Sequence, residues 1–237
     1  MKTTIKLLAL VILVTFSSCK NSKKIDYKYA ESPKLLACDF PNGELLKEAV
    51  YAFENDIINN YDMESRNVTR AYSSYLRSRT RKNANAKDIA SLHSLEIAKA
   101  LKEDSSLWTT TNGVNSLDRS HALMDCIVNN IKDKNTKTTY NALLATNSLK
   151  PNLILPLLSG NTGSIREDGS LKSYIALDLF YSQLLNVKIE ELKNPSLKPQ
   201  PAPAKPAVQG LDLNKTPKDK APVKTSTQKG HEGHNHD

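Results

Sequence analysis

Apolar and polar residues in the middle of the chain alternate with the period of an α-helix. The clearest stretch follows a turn at residues 41–43, and its apolar residues recur at three- and four-residue steps: Leu46, Ala49, Val50, Phe53, Ile57 and Tyr61. This spacing places the apolar side chains on one face, which can pack against a core. The pattern therefore predicts a helix over residues 44–61.

The same period predicts further helices along the chain. They cover residues 64–81, 87–102, 117–132, 136–147 and 171–192. The last of these is nearly apolar all round in its middle, which is typical of a helix at the centre of a bundle. The remaining stretches are predicted as short connections and one short apolar piece: 105–116, 153–158 and 159–168. No strand is predicted, so the expected fold is all-α, an irregular bundle of five to six helices within a domain at residues 38–194.

The first twenty residues have the pattern of a targeting segment. A basic start and an apolar run over residues 7–16 precede two serines and Cys19. The run is too short to span a bilayer, which takes roughly 20 apolar residues. The segment resembles the lipobox of bacterial lipoproteins, with Phe16 at the position where that pattern usually has leucine.

The lipobox resemblance implies a location in the cell envelope. Residues 1–18 would be a signal peptide, Cys19 would be acylated as the first mature residue, and residues 19–37 would form the membrane tether. Neither an aspartate nor an acidic run follows Cys19, so the expected place is the outer membrane, facing the periplasm. Two alternatives remain open: a buried apolar helix that begins an ordinary domain, and cleavage without lipidation.

Two cysteines remain after the lipobox, Cys38 and Cys126. In an oxidising envelope compartment such a pair is often bridged. The chain-entropy model then gives an upper estimate of about 4–5 kcal/mol of stabilisation. A free, buried Cys126 thiol is the alternative.

The C-terminal segment, residues 195–237, is predicted to be a disordered tail. Prolines alternate with lysines, alanines and polar residues, and apolar anchors are too few to offset the entropy of ordering. Seven lysines and four acidic residues lie here, so the tail contributes +3 to the net charge of +8. The central region is close to neutral, and no nucleic-acid partner is expected.

The end of the tail is rich in metal-binding side chains. His231, Glu232, His234, His236 and Asp237 lie within seven residues. Imidazole and carboxylate groups at this spacing can wrap Zn²⁺, Ni²⁺ or Cu²⁺. Because no site is ordered before binding, the expected affinity is roughly micromolar. The alternative is a solvating tail whose histidines bind nothing.

A second candidate metal or acid–base site combines two predicted helices. His93 and Glu96 lie three residues apart on one helix, and His121 and Asp125 lie four apart on the next, so each pair shares a face. If the faces oppose each other, the four side chains converge. The run from Ser91 to Glu96 resembles the Gly-x-His-x-x-Glu motif of imelysin-type periplasmic helical proteins, which are linked to iron uptake, with serine in place of glycine. The alternative is structural: both histidines flank apolar stripe positions, and each would hydrogen-bond to the nearby acid or to a backbone carbonyl.

No established catalytic motif occurs in the sequence. It contains neither Gly-x-Ser-x-Gly nor Cys-x-x-Cys, and neither a glycine-rich phosphate loop nor His-Glu-x-x-His. The sequence therefore predicts a non-enzymatic, lipid-anchored helical module that contacts an envelope protein or polymer. The alternative is a metal-handling lipoprotein that uses its histidine-rich tail.

Overall fold

Helix α1, Gly43–Tyr61, lies where the apolar stripe predicts it. It belongs to a computed structural model that describes residues 25–193. Ala49, Phe53 and Ile57 on the stripe are fully buried. The predicted targeting segment, the start of the predicted tether and the predicted tail lie outside the described residues.

The described chain is mostly helical, which confirms the all-α fold class. Helix α1 is followed by α2 Val68–Thr80, α3 Ala86–Ile89, α4 Leu92–Glu103, α5 Ala122–Asn129, α6 Lys134–Ala145, α7 Pro151–Gly160, α8 Thr162–Ile165, α9 Gly169–Tyr174 and α10 Ser182–Leu184. A π-helix, Ile175–Tyr181, joins α9 to α10 without a break. Single 3₁₀ turns lie at Ser105–Leu107 and Ile189–Glu191. Of the described helices, none is long and apolar enough to cross a membrane.

Local capping explains where several helices begin. Five helices begin at a short polar N-cap residue whose side chain accepts a backbone N–H group of the first turn: Asn67, Asn85, Ser91, Asp133 and Asp168. These N–H groups have no partner within the helix, so a short polar side chain at this position stabilises the start.

The stretch through α9, the π-helix and α10 forms the centre of the bundle, as its apolar composition predicts. Every residue of the π-helix is buried. The ring of Phe180 lies 5.0 Å from that of Phe53 on α1, and the Tyr75 hydroxyl on α2 donates to the Leu179 carbonyl at 2.8 Å. The helix ends at Leu184, earlier than the predicted limit of residue 192.

A β-hairpin replaces part of the predicted connection at residues 105–116. Strands β1, Trp108–Thr111, and β2, Val114–Leu117, pair antiparallel. The turn between them is Asn112-Gly113, and both residues have positive φ angles, 51° and 75°. An Asn-Gly pair adopts this conformation readily and closes two-residue hairpins. The prediction of no strand was therefore wrong here.

Two other boundaries differ from the prediction. Because β2 extends to Leu117 and a turn follows it, the helix predicted from residue 117 begins only at Ala122. Residues 159–168, predicted as a loop, contain the end of α7 and all of α8. Helix α7 continues through Pro156, which lies on an exposed position.

Residues 25–42, here called the N-terminal strap, lie along α1 without regular structure. The Tyr51 hydroxyl donates to the Pro33 carbonyl at 3.0 Å, and the Lys47 ammonium donates to the Ala30 carbonyl at 2.6 Å. These contacts hold the strap on the bundle, and the strap is the part of the described chain nearest in sequence to Cys19.

Candidate functional site

The main cluster of buried ionisable groups lies between α1, α4 and the N-terminal strap. Glu48 of α1 is fully buried, and its Oε1 lies 2.6 Å from Nε2 of His93. The Glu48 carboxylate also accepts the backbone N–H groups of Lys28 and Tyr29, each at 2.8 Å. One carboxylate therefore binds both the strap and α4.

Asp56 lies two turns further along α1 and is fully buried. Its Oδ2 accepts the backbone N–H of Ser91 at 3.0 Å, at the start of α4. Burial raises the pKa of the Asp56 carboxyl to about 6, while Ser94, Ser91 and the neighbouring His93 oppose the rise. A carboxyl group that titrates near neutrality beside an imidazole is a combination that general acid–base chemistry uses.

Two further buried acids are paired with cations. Glu54 lies 2.9 Å from the Lys172 ammonium and accepts the Tyr72 hydroxyl at 3.1 Å. Asp178 of the π-helix binds the Arg119 guanidinium through two contacts of 3.0 Å. A buried charge without such a partner is strongly destabilising, so these pairs are explained by folding.

The cluster around Glu48 is enclosed. Two cavities on the described surface, presented below, are lined by other residues. The hydrogen bonds of Glu48 are all to backbone N–H groups of the strap and to the His93 imidazole. Asp56 accepts the N–H of Ser91, the N-cap residue of α4. The arrangement therefore braces the strap and α4 against α1.

The four residues predicted to converge do not form a site. His93 binds Glu48, but Glu96 is exposed on α4. His121 is the N-cap of α5, where its Nδ1 accepts the Leu123 N–H at 3.1 Å, and Asp125 is exposed. Among residues 25–193 no three histidine, cysteine, aspartate or glutamate side chains are placed to hold a metal ion.

The physical reason for this correction is that each histidine has a local task. His93 hydrogen-bonds to the buried Glu48 carboxylate, and the His121 imidazole accepts a backbone N–H at the start of α5. Glu48 and Asp56 were missed because they lie beside the apolar stripe of α1, and helical spacing gives no signal that separates them from solvated acids on a helix flank.

Cys38 of the strap and Cys126 of α5 are at disulfide distance, with sulfur atoms 1.95 Å and Cα atoms 6.2 Å apart. The predicted pairing is therefore present in the structure, and it fixes the end of the strap to the helix at residue 126. The Asn130 amide donates to the Cys126 carbonyl at 2.8 Å and lies against both sulfurs.

Two cavities open on the described surface, each about 370 Å³. The first, the strap cavity, lies between the strap and α1, and its walls include Leu35, Cys38, Phe40, Glu44, Lys47 and Ser173. The second, the α2–α7 cavity, is lined by Arg79, Thr80 and Lys82 on one side and by Pro151, Leu155 and Pro156 on the other, with Ala84 and Asn152 between them. Both volumes are at the lower end of those typical of small-molecule sites, roughly 300–1,000 Å³.

The other predicted site residues lie outside residues 25–193. They are the lipidation site Cys19 and the tail residues His231, Glu232, His234, His236 and Asp237. Their roles stay predictions.

Similarity to known proteins gives no assignment for these features. Comparison of the chain with protein-family models, with curated proteins and with solved structures finds no match. The chemistry available to the protein follows from its own residues and contacts.

Proposed function

We propose that the protein is a lipid-anchored module of the bacterial cell envelope that acts by binding an envelope protein or polymer. Cys19 is its acylation site, and the helical domain of residues 38–194 is its binding part. The placement at the outer membrane, facing the periplasm, is part of the proposal.

The Cys38–Cys126 pair carries this proposal. Disulfides persist in oxidising compartments and are rare in the cytoplasm of most organisms. A bridge between a buried cysteine of α5 and a strap that begins a few residues after Cys19 is in keeping with export. It also supplies mechanical continuity, because the segment nearest the membrane anchor is covalently held to the bundle.

A binding role is favoured over catalysis by how the ionisable groups are used. The buried acids Glu48, Glu54, Asp56 and Asp178 each bind a partner within the fold. An enzyme of this size would be expected to aim at least one such group into an open cleft. Here the cavities offer surfaces for recognition, with apolar walls and charged side chains that are basic in the α2–α7 cavity and of both signs in the strap cavity.

Metabolic labelling with a palmitate analogue tests the anchor. Wild-type cells should incorporate the label into the protein and place it in the membrane fraction, and Cys19→Ser should lose both. A matched Cys126→Ser variant should keep the label. Label retained in Cys19→Ser, or wild-type protein in the cytosol, would contradict the proposal.

In-cell cross-linking tests the binding role. A photo-reactive residue placed at exposed Leu153, and separately at exposed Val114, should yield a discrete adduct with an envelope protein or polymer from at least one position. Adducts with no component from either position would count against a binding module.

Metal handling by the tail is a second candidate, supported by three histidines within six residues. The mature chain should bind Cu²⁺ or Ni²⁺ at roughly micromolar affinity, and the triple variant His231→Ala, His234→Ala, His236→Ala should not. The matched variant His121→Ala should bind as the wild type does, because His121 caps α5. Metal retained by the triple variant would refute a tail site.

A further inference from the structure

We propose that the α2–α7 cavity binds a small amphipathic organic anion, with the anionic group at Lys82 and Arg79 and an apolar stem against Pro151, Leu155 and Pro156. The inference goes beyond the proposed function, which assigns no ligand to this cavity. It does not depend on membrane anchoring.

Both cations on the cavity wall lack an acidic partner. Within the described residues no carboxylate lies within 4.0 Å of the Arg79 guanidinium or the Lys82 ammonium. Arg79 is held in place, since its Nη1 donates to the Ala84 carbonyl at 3.0 Å and to Gln183 Oε1 at 2.9 Å. A guanidinium that is held in place and has no carboxylate partner suits an incoming anion.

The backbone at Lys82 supplies an independent observation. Lys82 has φ +58°, in the left-handed region that favours glycine. It closes α2 in a Schellman arrangement, in which the Lys82 N–H donates to the Arg79 carbonyl at 3.0 Å and the Asn83 N–H donates to the Ser78 carbonyl at 2.9 Å. A lysine here is less favourable than glycine.

Helix α6 ends in the same Schellman arrangement, but with asparagine rather than lysine at the left-handed position. Asn147 has φ +50° and occupies the equivalent position, with matching bonds to the carbonyls of Leu144 and Leu143. Asparagine tolerates the left-handed region better than other non-glycine residues. At residue 82 a disfavoured lysine stands instead, beside a cavity and without an acidic partner. A side chain kept at the expense of backbone strain points to a role for that side chain.

The opposite wall determines the rest of the ligand. Pro151, Leu155 and Pro156 offer apolar surface across from the two cations. An inorganic anion would leave this wall uncovered, and an uncharged apolar molecule would leave the cations unused. A single anionic group on a short hydrocarbon stem fits both sides.

Calorimetric titration with three probes tests the ligand class. The sample is the chain from residue 19 onward, with Cys19→Ser to prevent acylation and with the Cys38–Cys126 bridge intact. Hexyl phosphate should bind at least tenfold more tightly than inorganic phosphate or hexanol. Equal affinity for inorganic phosphate or for hexanol, or no binding of hexyl phosphate, would overturn the proposal.

The variant Lys82→Gly separates the ligand role from a structural one. It should weaken hexyl phosphate binding at least fivefold, yet raise Tm by about 2–4 °C because the backbone strain is relieved. The matched variant Asn147→Gly relaxes the same motif on α6 and should leave the affinity unchanged. If Lys82→Gly keeps full affinity for hexyl phosphate, whatever its effect on Tm, then Lys82 serves only the end of α2 and the proposal fails.

Discussion

Single residues hold the N-terminal strap on the bundle by two kinds of contact. One is polar: the buried carboxylate of Glu48 accepts the N–H groups of Lys28 and Tyr29 and is compensated by His93. The other is steric, because the strap passes so close to the start of α9 that only a residue without a side chain fits there. Together the two contacts fix the strap to the helical bundle and make it part of the fold.

Gly169 is the residue at this steric contact. A Cβ atom on Gly169 would lie 2.1 Å from the Leu35 carbonyl oxygen. We expect Gly169→Ala to lower the free energy of unfolding by about 1–3 kcal/mol, as overpacking does. The matched variant Gly163→Ala, in α8 and with open space around it, should be neutral or slightly stabilising. Urea denaturation measures both, and equal effects would contradict the close approach.

The buried Asp56 gives a pH dependence of stability. Its pKa is about 6 in the folded protein, because burial raises it from 3.8. Between these values the folded state binds more protons than the unfolded state, so stability falls as pH rises from about 4 to about 6 and is level above that range. The loss that Asp56 contributes is on the order of 3 kcal/mol.

Asp56→Asn should remove this part of the pH profile. Denaturation of the wild type and of the variant at pH 4, 5, 6 and 7.5 measures it, and the variant should lose less stability over the rise. Asp62→Asn is the control of opposite sign: Ser65 and Asn67 hydrogen bonds lower the pKa of Asp62, so its contribution is present at neutral pH and is lost as pH falls. Identical profiles for the wild type and Asp56→Asn would refute the assignment.

At the scale of elements, helix starts depend on local caps, and one cap also joins two elements. The Asp168 carboxylate accepts the N–H groups of Ser170 and Leu171 at the start of α9, each at 3.0 Å. It also accepts the Lys132 N–H, just after α5, at 2.8 Å. Asp168 is buried, so water does not replace these bonds.

Asp168→Ala should therefore cost more than the loss of an ordinary cap. It removes the cap and leaves buried donors unpaired, so we expect a loss of about 2–4 kcal/mol in the free energy of unfolding. Asp133→Ala removes the partly exposed cap of α6 and should cost less. Asp168→Asn should recover part of the loss because it keeps one acceptor oxygen. Thermal denaturation compares the three, and equal losses for Asp168→Ala and Asp133→Ala would contradict the linking role.

The elements could be predicted where the pattern was periodic and the signal local. The apolar stripe of α1 predicted the bounds of that helix to within one residue. The hairpin was missed although Asn112-Gly113 is a strong local turn signal, because strands of four residues are too short for alternation to stand out. The length of the central helix was overestimated, since an apolar composition continues past Leu184 while the chain turns.

At the scale of the whole molecule, long-range pairings decide how the parts fit. The disulfide could be predicted because the lipobox resemblance assigns Cys19 to acylation and leaves one pair of cysteines. The Glu48–His93 contact, 45 residues apart in sequence, could not be predicted, because many acids of the chain could equally have paired with that imidazole. For the same reason the prediction of a four-residue site around His93 and His121 was wrong. Helical spacing shows which residues share a face, but not which element packs against that face.

Loss of the disulfide should affect the whole fold. The bridge closes 88 residues, so replacing Cys38 and Cys126 by serine should lower the free energy of unfolding by up to about 4–5 kcal/mol. Reduction of the wild type should reproduce this loss, and reductant should leave the double variant unchanged. A reductant-insensitive wild type would contradict a stabilising bridge.

Intact mass measurement of the protein extracted from native membranes, without reductant, tests the central claim most directly. The account predicts a chain that begins at an acylated Cys19 and is two hydrogens lighter than its reduced form because Cys38 and Cys126 are bridged. A chain that retains residues 1–18, or that carries an unmodified Cys19 and free thiols at residues 38 and 126, would contradict it.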